Sequence, residues 1–216
     1  MRVVAEENRG ERNDVISQTW VQTLETLGAI PIMLPNTLAQ INDLIELVDL
    51  VILTGGNDIT VNPFGGVKGP REDSAEDRDL QEYKIIDMCL ARNIPLLGVC
   101  RGMQLINYWF GGSLVTVEER KHVRSFHDIA VEKSQNGHFL NGTWRVNSFH
   151  HFGITRDTLG SELEVVALAD DSVIEAFCHQ SLPICGIMWH PERNAVLSAI
   201  DRHLLLNLIN HRPDKK

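Results

Sequence analysis

The stretch Pro95-Leu-Leu-Gly-Val-Cys-Arg-Gly-Met-Gln104 has residue types and spacing suited to nucleophilic chemistry. A short apolar run ends in Gly-x-Cys-x-Gly and passes into a helix-like segment. That pattern is a nucleophile elbow with cysteine as the attacking group. A sharp strand-to-helix turn needs small neighbours, and Gly98 and Gly102 flank Cys100 at two residues on either side. The following helix N-terminus would favour a thiolate. The matching base is expected at His190, which ends the apolar run Ile184-Cys-Gly-Ile-Met-Trp-His190 before Pro191. Glu192 lies two residues further on, so in extended chain it points the same way as His190. Its carboxylate could hold one imidazole nitrogen and turn the other toward the thiol, the logic of a Cys-His-Glu triad. Acyl transfer also needs donors for a developing oxyanion. The Arg101 N–H is one, and the Gly55-Gly56 turn after a neighbouring apolar strand offers another.

These groups need elements to position them. Apolar strand patterns alternate with helical ones, which indicates the α/β class. Helices are expected over 14–28, 37–48, 79–93, 102–110 and 195–210. In the second of these, Thr37 and Gln40 have capping-box spacing. Strands are expected over 29–34 and 50–54, and at the elbow. The pattern changes between 113 and 190 to short strands over 129–132, 142–146, 163–168, 173–178 and 184–189. The polar stretch 60–78 reads as a long loop, and the charged stretch 6–14 as a solvated loop. The tail from His211 reads as frayed. No repeat or linker interrupts the chain, so residues 1–216 are expected to form one domain.

The 216 residues are 43% hydrophobic, enough for a sizeable core, and the formal net charge is −9. An acidic chain without a basic stripe argues against nucleic acid and anionic membrane surfaces as partners. No run approaches transmembrane length, and charge appears by Arg2 and Glu6, so no signal peptide is expected. Cys89, Cys100, Cys178 and Cys185 show no zinc-type spacing, and a reduced cytoplasmic chain with free thiols is expected.

Five motifs occur in order: Thr54-Gly-Gly-Asn-Asp58, Gly98-Val-Cys-Arg-Gly-Met-Gln104, Gly111-Gly112, Val146-Asn-Ser-Phe-His-His151 and Trp189-His-Pro-Glu192. The set resembles class I glutamine amidotransferase-like proteins and, within them, the γ-glutamyl hydrolase branch that includes γ-glutamyl-γ-aminobutyrate hydrolase-like proteins. The resemblance spans nearly the whole chain, and Arg101 after the cysteine is similar to the hydrolase branch. It implies a flavodoxin-like, mainly parallel central sheet flanked by helices, with extra short antiparallel strands in the second half.

It also implies attack by Cys100 on a γ-glutamyl carbonyl and proton transfer by His190, oriented by Glu192. Gly56 and Arg101 N–H groups would form the oxyanion hole. Gln104 would hold the glutamyl end, with Asn147, Ser148, His150 and His151 on its α-amino and α-carboxylate groups. Phe152 stands where the family often carries Gln after the paired histidines.

The expected substrate is a small γ-glutamyl amide, with γ-glutamyl nucleotide amidates of surface-polysaccharide metabolism among the candidates. Arg9, Arg12, Lys68 and Arg71 are the basic groups that would face a charged leaving group. No cofactor is expected, and no metal, because no carboxylate or Cys lies near His150-His151 at ligand spacing. A homodimer is compatible with the sequence. The alternatives are a glutaminase subunit that passes ammonia to a separate synthase partner, and a non-catalytic binding protein on the same scaffold.

Overall fold

A computed structural model describes residues 1–6, 8–37, 39, 41–60, 75–131 and 137–211. In chain order the first half contains β1 (Arg2–Glu6), β2 (Glu11–Val15), α1 (Gln18–Glu25), α2 (Ile41–Ile45), β3 (Val51–Leu53), α3 (Glu76–Arg92), β4 (Leu96–Val99) and α4 (Arg101–Trp109). The second half contains β5 (Val115–Thr116), α5 (Glu119–His122), β6 (Val123–Val131), β7 (Gly142–Phe149), β8 (Phe152–Gly153), β9 (Leu163–Ala169), β10 (Ile174–His179), β11 (Ile184–Ile187) and α6 (Ala199–Ile209).

A mixed sheet runs in the order β3-β4-β11-β10-β9-β6-β7. The expected parallel core is β3-β4-β11, and every further pairing is antiparallel. The antiparallel addition is therefore the larger part of the sheet. Apolar side chains of β4 alternate between faces: Leu96 packs with Ile86 of α3 and Ile106 of α4, while Leu97 packs with Trp20 of α1 and Leu204 of α6. Both faces are buried, which is why the strand is apolar throughout.

Several expected elements differ. Residues 29–34 form no strand, because Pro31 lacks the N–H that a ladder needs. Ile30, Ile32 and Met33 there are exposed. The charged 6–14 stretch is not a loop into a helix. It turns over residues 8–10 into β2, which pairs antiparallel with β1 alone. The first helix consequently starts at Gln18, with Ser17 as its N-cap. The second helix is confined to α2, and Gln40 of the expected capping box lies outside the described residues. Most of the 60–78 loop also lies outside them, but its last residues open α3 with an acidic first turn, Glu76, Asp77 and Asp79. The last helix starts at Ala199, where Ser198 caps it.

The free-thiol expectation is corrected for one pair. Cys178 of β10 faces Cys185 of β11 across the antiparallel ladder, and the two are bonded as a disulfide. Cys89 and Cys100 are free. Among the described residues no helix is long and apolar enough to cross a membrane.

Candidate active site

Cys100 follows β4 directly and adopts φ 52°, ψ −105°. This is a strained conformation for a residue with a Cβ, and such strain costs on the order of 1–3 kcal/mol. Glycine surrounds it for lack of space. A Cβ on Gly98 would lie 2.6 Å from Gly102 backbone atoms, and one on Gly102 would collide with the Leu53 carbonyl. The turn aims the thiol outward at the carboxyl end of the parallel strands, where Cys100 is half-buried.

Strand register explains how residues far apart in sequence meet there. Val99 is paired with Ile187 and Leu53 with Gly98, so the chain beyond β11 and the chain beyond β3 emerge on either side of Cys100. The Cys100 N–H donates to the Ile187 carbonyl at 2.8 Å. The first of these segments carries His190 and the second Gly55-Gly56. A Cβ on Gly55 would stand 2.8 Å from His190 Cε1 and 3.6 Å from Cys100 Cβ, so this glycine leaves space that both side chains border.

His190 is buried, and its Nδ1 lies 2.8 Å from Glu192 Oε1. Its Nε2 has no hydrogen-bond partner. Burial depresses the basicity of His190. The neighbouring Cys100 sulfur and then the Glu192 carboxylate outweigh that and push its pKa up to about 9. Phe149 meets the ring edge-on, with centroids 5.9 Å apart, and the Arg193 guanidinium lies 4.3 Å from the Phe149 centroid.

The residues expected around the glutamyl end divide. Gln104 lies on α4 one turn from Cys100 and donates to the Phe152 carbonyl at 3.0 Å. Asn147 is not open to a ligand. The His190 N–H donates to its Oδ1 at 2.9 Å, and its Nδ2 donates to the His190 carbonyl at 2.8 Å and to Asn194 Oδ1 at 3.0 Å. It clamps the backbone of His190. Ser148 is fully buried and donates to the His122 carbonyl at 2.8 Å. His150 is buried, while His151 is exposed with Nδ1 3.6 Å from Glu119. Strand β7 runs three residues past its expected end at Val146, so Asn147 and Ser148 sit inside a ladder, not in a substrate loop.

The reason for expecting no metal near His150 is overturned. Glu175 of β10 lies 3.5 Å from His150 Nε2, although the two are far apart in sequence. Arg12 pairs with Asp77 at 2.6 Å and Arg9 lies 3.8 Å from Glu6, while Lys68 and Arg71 lie outside the described residues.

Sequence reasoning missed a buried ionic network beneath the Gly55-Gly56 turn. The Arg101 guanidinium bonds Glu82 and Asp79 of α3, and Arg78 bonds Glu82 at 2.8 Å. Arg78 Nη2 donates to the Thr54 carbonyl at 2.6 Å and to the Gly55 carbonyl at 3.2 Å. The network thereby holds the Gly55-Gly56 turn and the start of α4 together. Burial lowers Arg78 to about 10. Burial alone would raise Glu82, but the Arg101 and Arg78 charges hold it down at about 2. The one signal in the sequence was the acidic face of α3, Asp79 and Glu82, which reads equally well as solvated surface.

A cysteine on a strained elbow, facing a carboxylate-bound histidine at the carboxyl end of the parallel strands of a mixed sheet, defines the class I glutamine amidotransferase-like fold. A solved structure of that fold, from Thermoplasma acidophilum and described as a putative GMP synthase component, superposes with a TM-score of 0.68 at 24% identity, covering 88% of this chain and 85% of that one. The Peptidase C26 family model matches residues 2–192, so the chain belongs to that family and is a hydrolase of it. Two relatives are the glutamine amidotransferase-like protein YvdE of Lactococcus lactis and the γ-glutamyl-CDP-amidate hydrolase of Campylobacter jejuni. YvdE is described as putative; it is 34% identical over 189 residues, 81% of this chain and 79% of that protein. The Campylobacter enzyme is 39% identical over 155 residues, 72% of this chain and 68% of that protein.

Proposed function

We propose that the chain hydrolyses γ-glutamyl amides through a covalent thioester. The observation that carries this reading is the state of His190: Nδ1 is held by Glu192 at 2.8 Å, and Nε2 is left without a partner beside the half-buried Cys100. In this reading Cys100 Sγ attacks the γ-carbonyl carbon. Negative charge develops on the carbonyl oxygen between the N–H groups of Gly56 and Arg101. His190 passes a proton to the leaving amine, and the C–N bond breaks. Water, deprotonated by His190, then cleaves the γ-glutamyl thioester to release glutamate and regenerate the thiol. Glu192 orients the imidazole and stabilises its cationic form. Gln104 lines the glutamyl end, one helical turn from the nucleophile.

The 39% identity to an enzyme named for γ-glutamyl-CDP-amidate makes nucleotide amidates the leaving-group class to test first. The purified protein is incubated with γ-glutamyl-CDP-amidate, γ-glutamyl-γ-aminobutyrate and L-glutamine, and glutamate release is followed. Release from a conjugate well above that from glutamine, abolished in Cys100→Ala, is the expected result. Turnover of glutamine alone, stimulated by a synthase partner, would favour an ammonia-delivering role. No turnover with any of them would overturn the reading.

A further inference from the structure

Away from the elbow, α5, β6, β7 and β10 bring three histidines onto one carboxylate. His122 Nδ1 lies 3.4 Å, His127 Nε2 3.3 Å and His150 Nε2 3.5 Å from Glu175 Oε1. None of these nitrogens, and neither Glu175 oxygen, has a hydrogen-bond partner. Glu175 and His122 are fully buried, His150 nearly so, and His127 sits at the rim.

The other nitrogen of each ring faces an oxygen. His122 Nε2 meets Asp171 at 2.9 Å, His127 Nδ1 meets the Lys121 carbonyl at 3.1 Å, and His150 Nδ1 meets the Phe152 carbonyl at 3.0 Å. Carbonyls and carboxylates only accept, so the outward nitrogens carry the protons. In the neutral rings the inward nitrogens are then bare lone pairs, aimed at a buried carboxylate. Either protons on the imidazoles or a metal cation between the groups would satisfy such a centre. Outward N–H groups held by carbonyls and a carboxylate are also the supports that fix metal-bound imidazoles.

We infer that His122, His127 and Glu175 form a binding site for a divalent transition metal, Zn²⁺ by chemistry, with His150 against the same carboxylate. Zinc takes imidazole and carboxylate ligands at about 2.0–2.2 Å in a tetrahedron, whose edges are then about 3.3–3.5 Å. The His122 and His127 separations from Glu175 fall on that edge length. The ligand atoms of His122, His127 and Glu175 all lie within 4.8 Å of one another. Three protein ligands leave a fourth tetrahedral position for water. The site would tie the α5–β6 corner to β7 and β10. It would also fix the Phe152 carbonyl, which Gln104 shares with His150.

The test uses the full chain with Cys100→Ser, so that the catalytic thiol cannot bind metal. Protein stripped with a chelator is titrated with Zn²⁺ against a chromophoric competitor, and bound zinc is counted by atomic emission. One Zn²⁺ per chain is expected, with a thermal midpoint that rises as zinc is added. Co²⁺ in its place should give the intense visible absorption of a tetrahedral centre. His127→Gln, at the rim and tolerant of folding, should lose more than the roughly 10–100-fold in affinity seen for supporting partners, and Glu175→Gln at least as much. Two results overturn the inference. One is a folded Cys100→Ser protein that binds no zinc, which would leave the cluster as protonated imidazoles around a carboxylate. The other is zinc binding that His127→Gln leaves unchanged.

Discussion

Asn147→Ala separates positioning from substrate binding at the proposed site. Asn147 makes two reciprocal hydrogen bonds to the His190 backbone, at 2.9 and 2.8 Å, and all are buried. Removing the side chain leaves the His190 N–H and C=O without their partners. An orphaned buried polar group costs about 1–3 kcal/mol, so the two together cost roughly 2–4 kcal/mol once water enters the vacated space. For a chain of this size that corresponds to a fall of roughly 4–16 °C in thermal midpoint. His190 would also shift relative to Cys100, and a displacement of about 1 Å can lower kcat on the order of 100-fold. KM should stay near the wild-type value, because no contact shared by the bound substrate and the transition state is lost. The assay is steady-state glutamate release at a temperature where the variant is folded, with a thermal melt alongside. A raised KM with unchanged kcat and midpoint would refute this reasoning and return Asn147 to direct contact with the glutamyl end.

Three further perturbations test other parts of the arrangement. Glu192→Gln should cost about 10²–10⁴-fold in kcat, as for an acid–base residue that loses its orienting charge, and an NMR titration should find the His190 pKa below about 9. Because His190 is raised from 6.5 in the folded chain, its pairing stabilises fully below about pH 6.5 and is lost as pH rises through about 9; wild-type melts should show that slope, and Glu192→Gln melts less of it. Glu82 is depressed from 4.5 to about 2, so its contribution is present above about pH 4.5 and lost toward pH 2; Glu82→Gln should cost about 3–5 kcal/mol in urea unfolding at pH 7 and flatten the acid limb. Gly102→Ala should yield little soluble protein or a midpoint many degrees lower, since its Cβ meets the rigid Leu53 backbone; a near-native melt would show that the elbow relaxes.

The elbow was legible because its constraint is local: a strained φ at Cys100 demands glycine two residues away on either side, and sequence records that directly. The histidine and glutamate two residues apart were legible for the same reason. The strand at 29–34 failed because its apolar composition outweighed Pro31, which a ladder cannot accommodate. That β7 runs on through Asn147 and Ser148 was not legible, because a strand end cannot be read from residues that satisfy buried backbone instead of lining a core. Asp79, Glu82 and Arg101 were invisible as a network, since a charged helix face reads as solvated until another element covers it. Glu175 sits among apolar neighbours in a fully buried strand, and nothing local tells that three histidines surround it.

The two buried constellations share segments of chain, and that constrains how either can change. Residues 147–150 carry the clamp on His190 at one end and His150 at the other. The Met188 N–H, two residues before His190, donates to the Glu175 carbonyl at 2.8 Å. His190 is thus approached along β7 through Asn147 and along β10 through the backbone of the very residue that anchors the histidines. In the proposed mechanism the acid–base work of His190 depends on close placement, which needs both approaches rigid. The inferred cation would join Glu175 and the histidines into a brace behind the proposed general base.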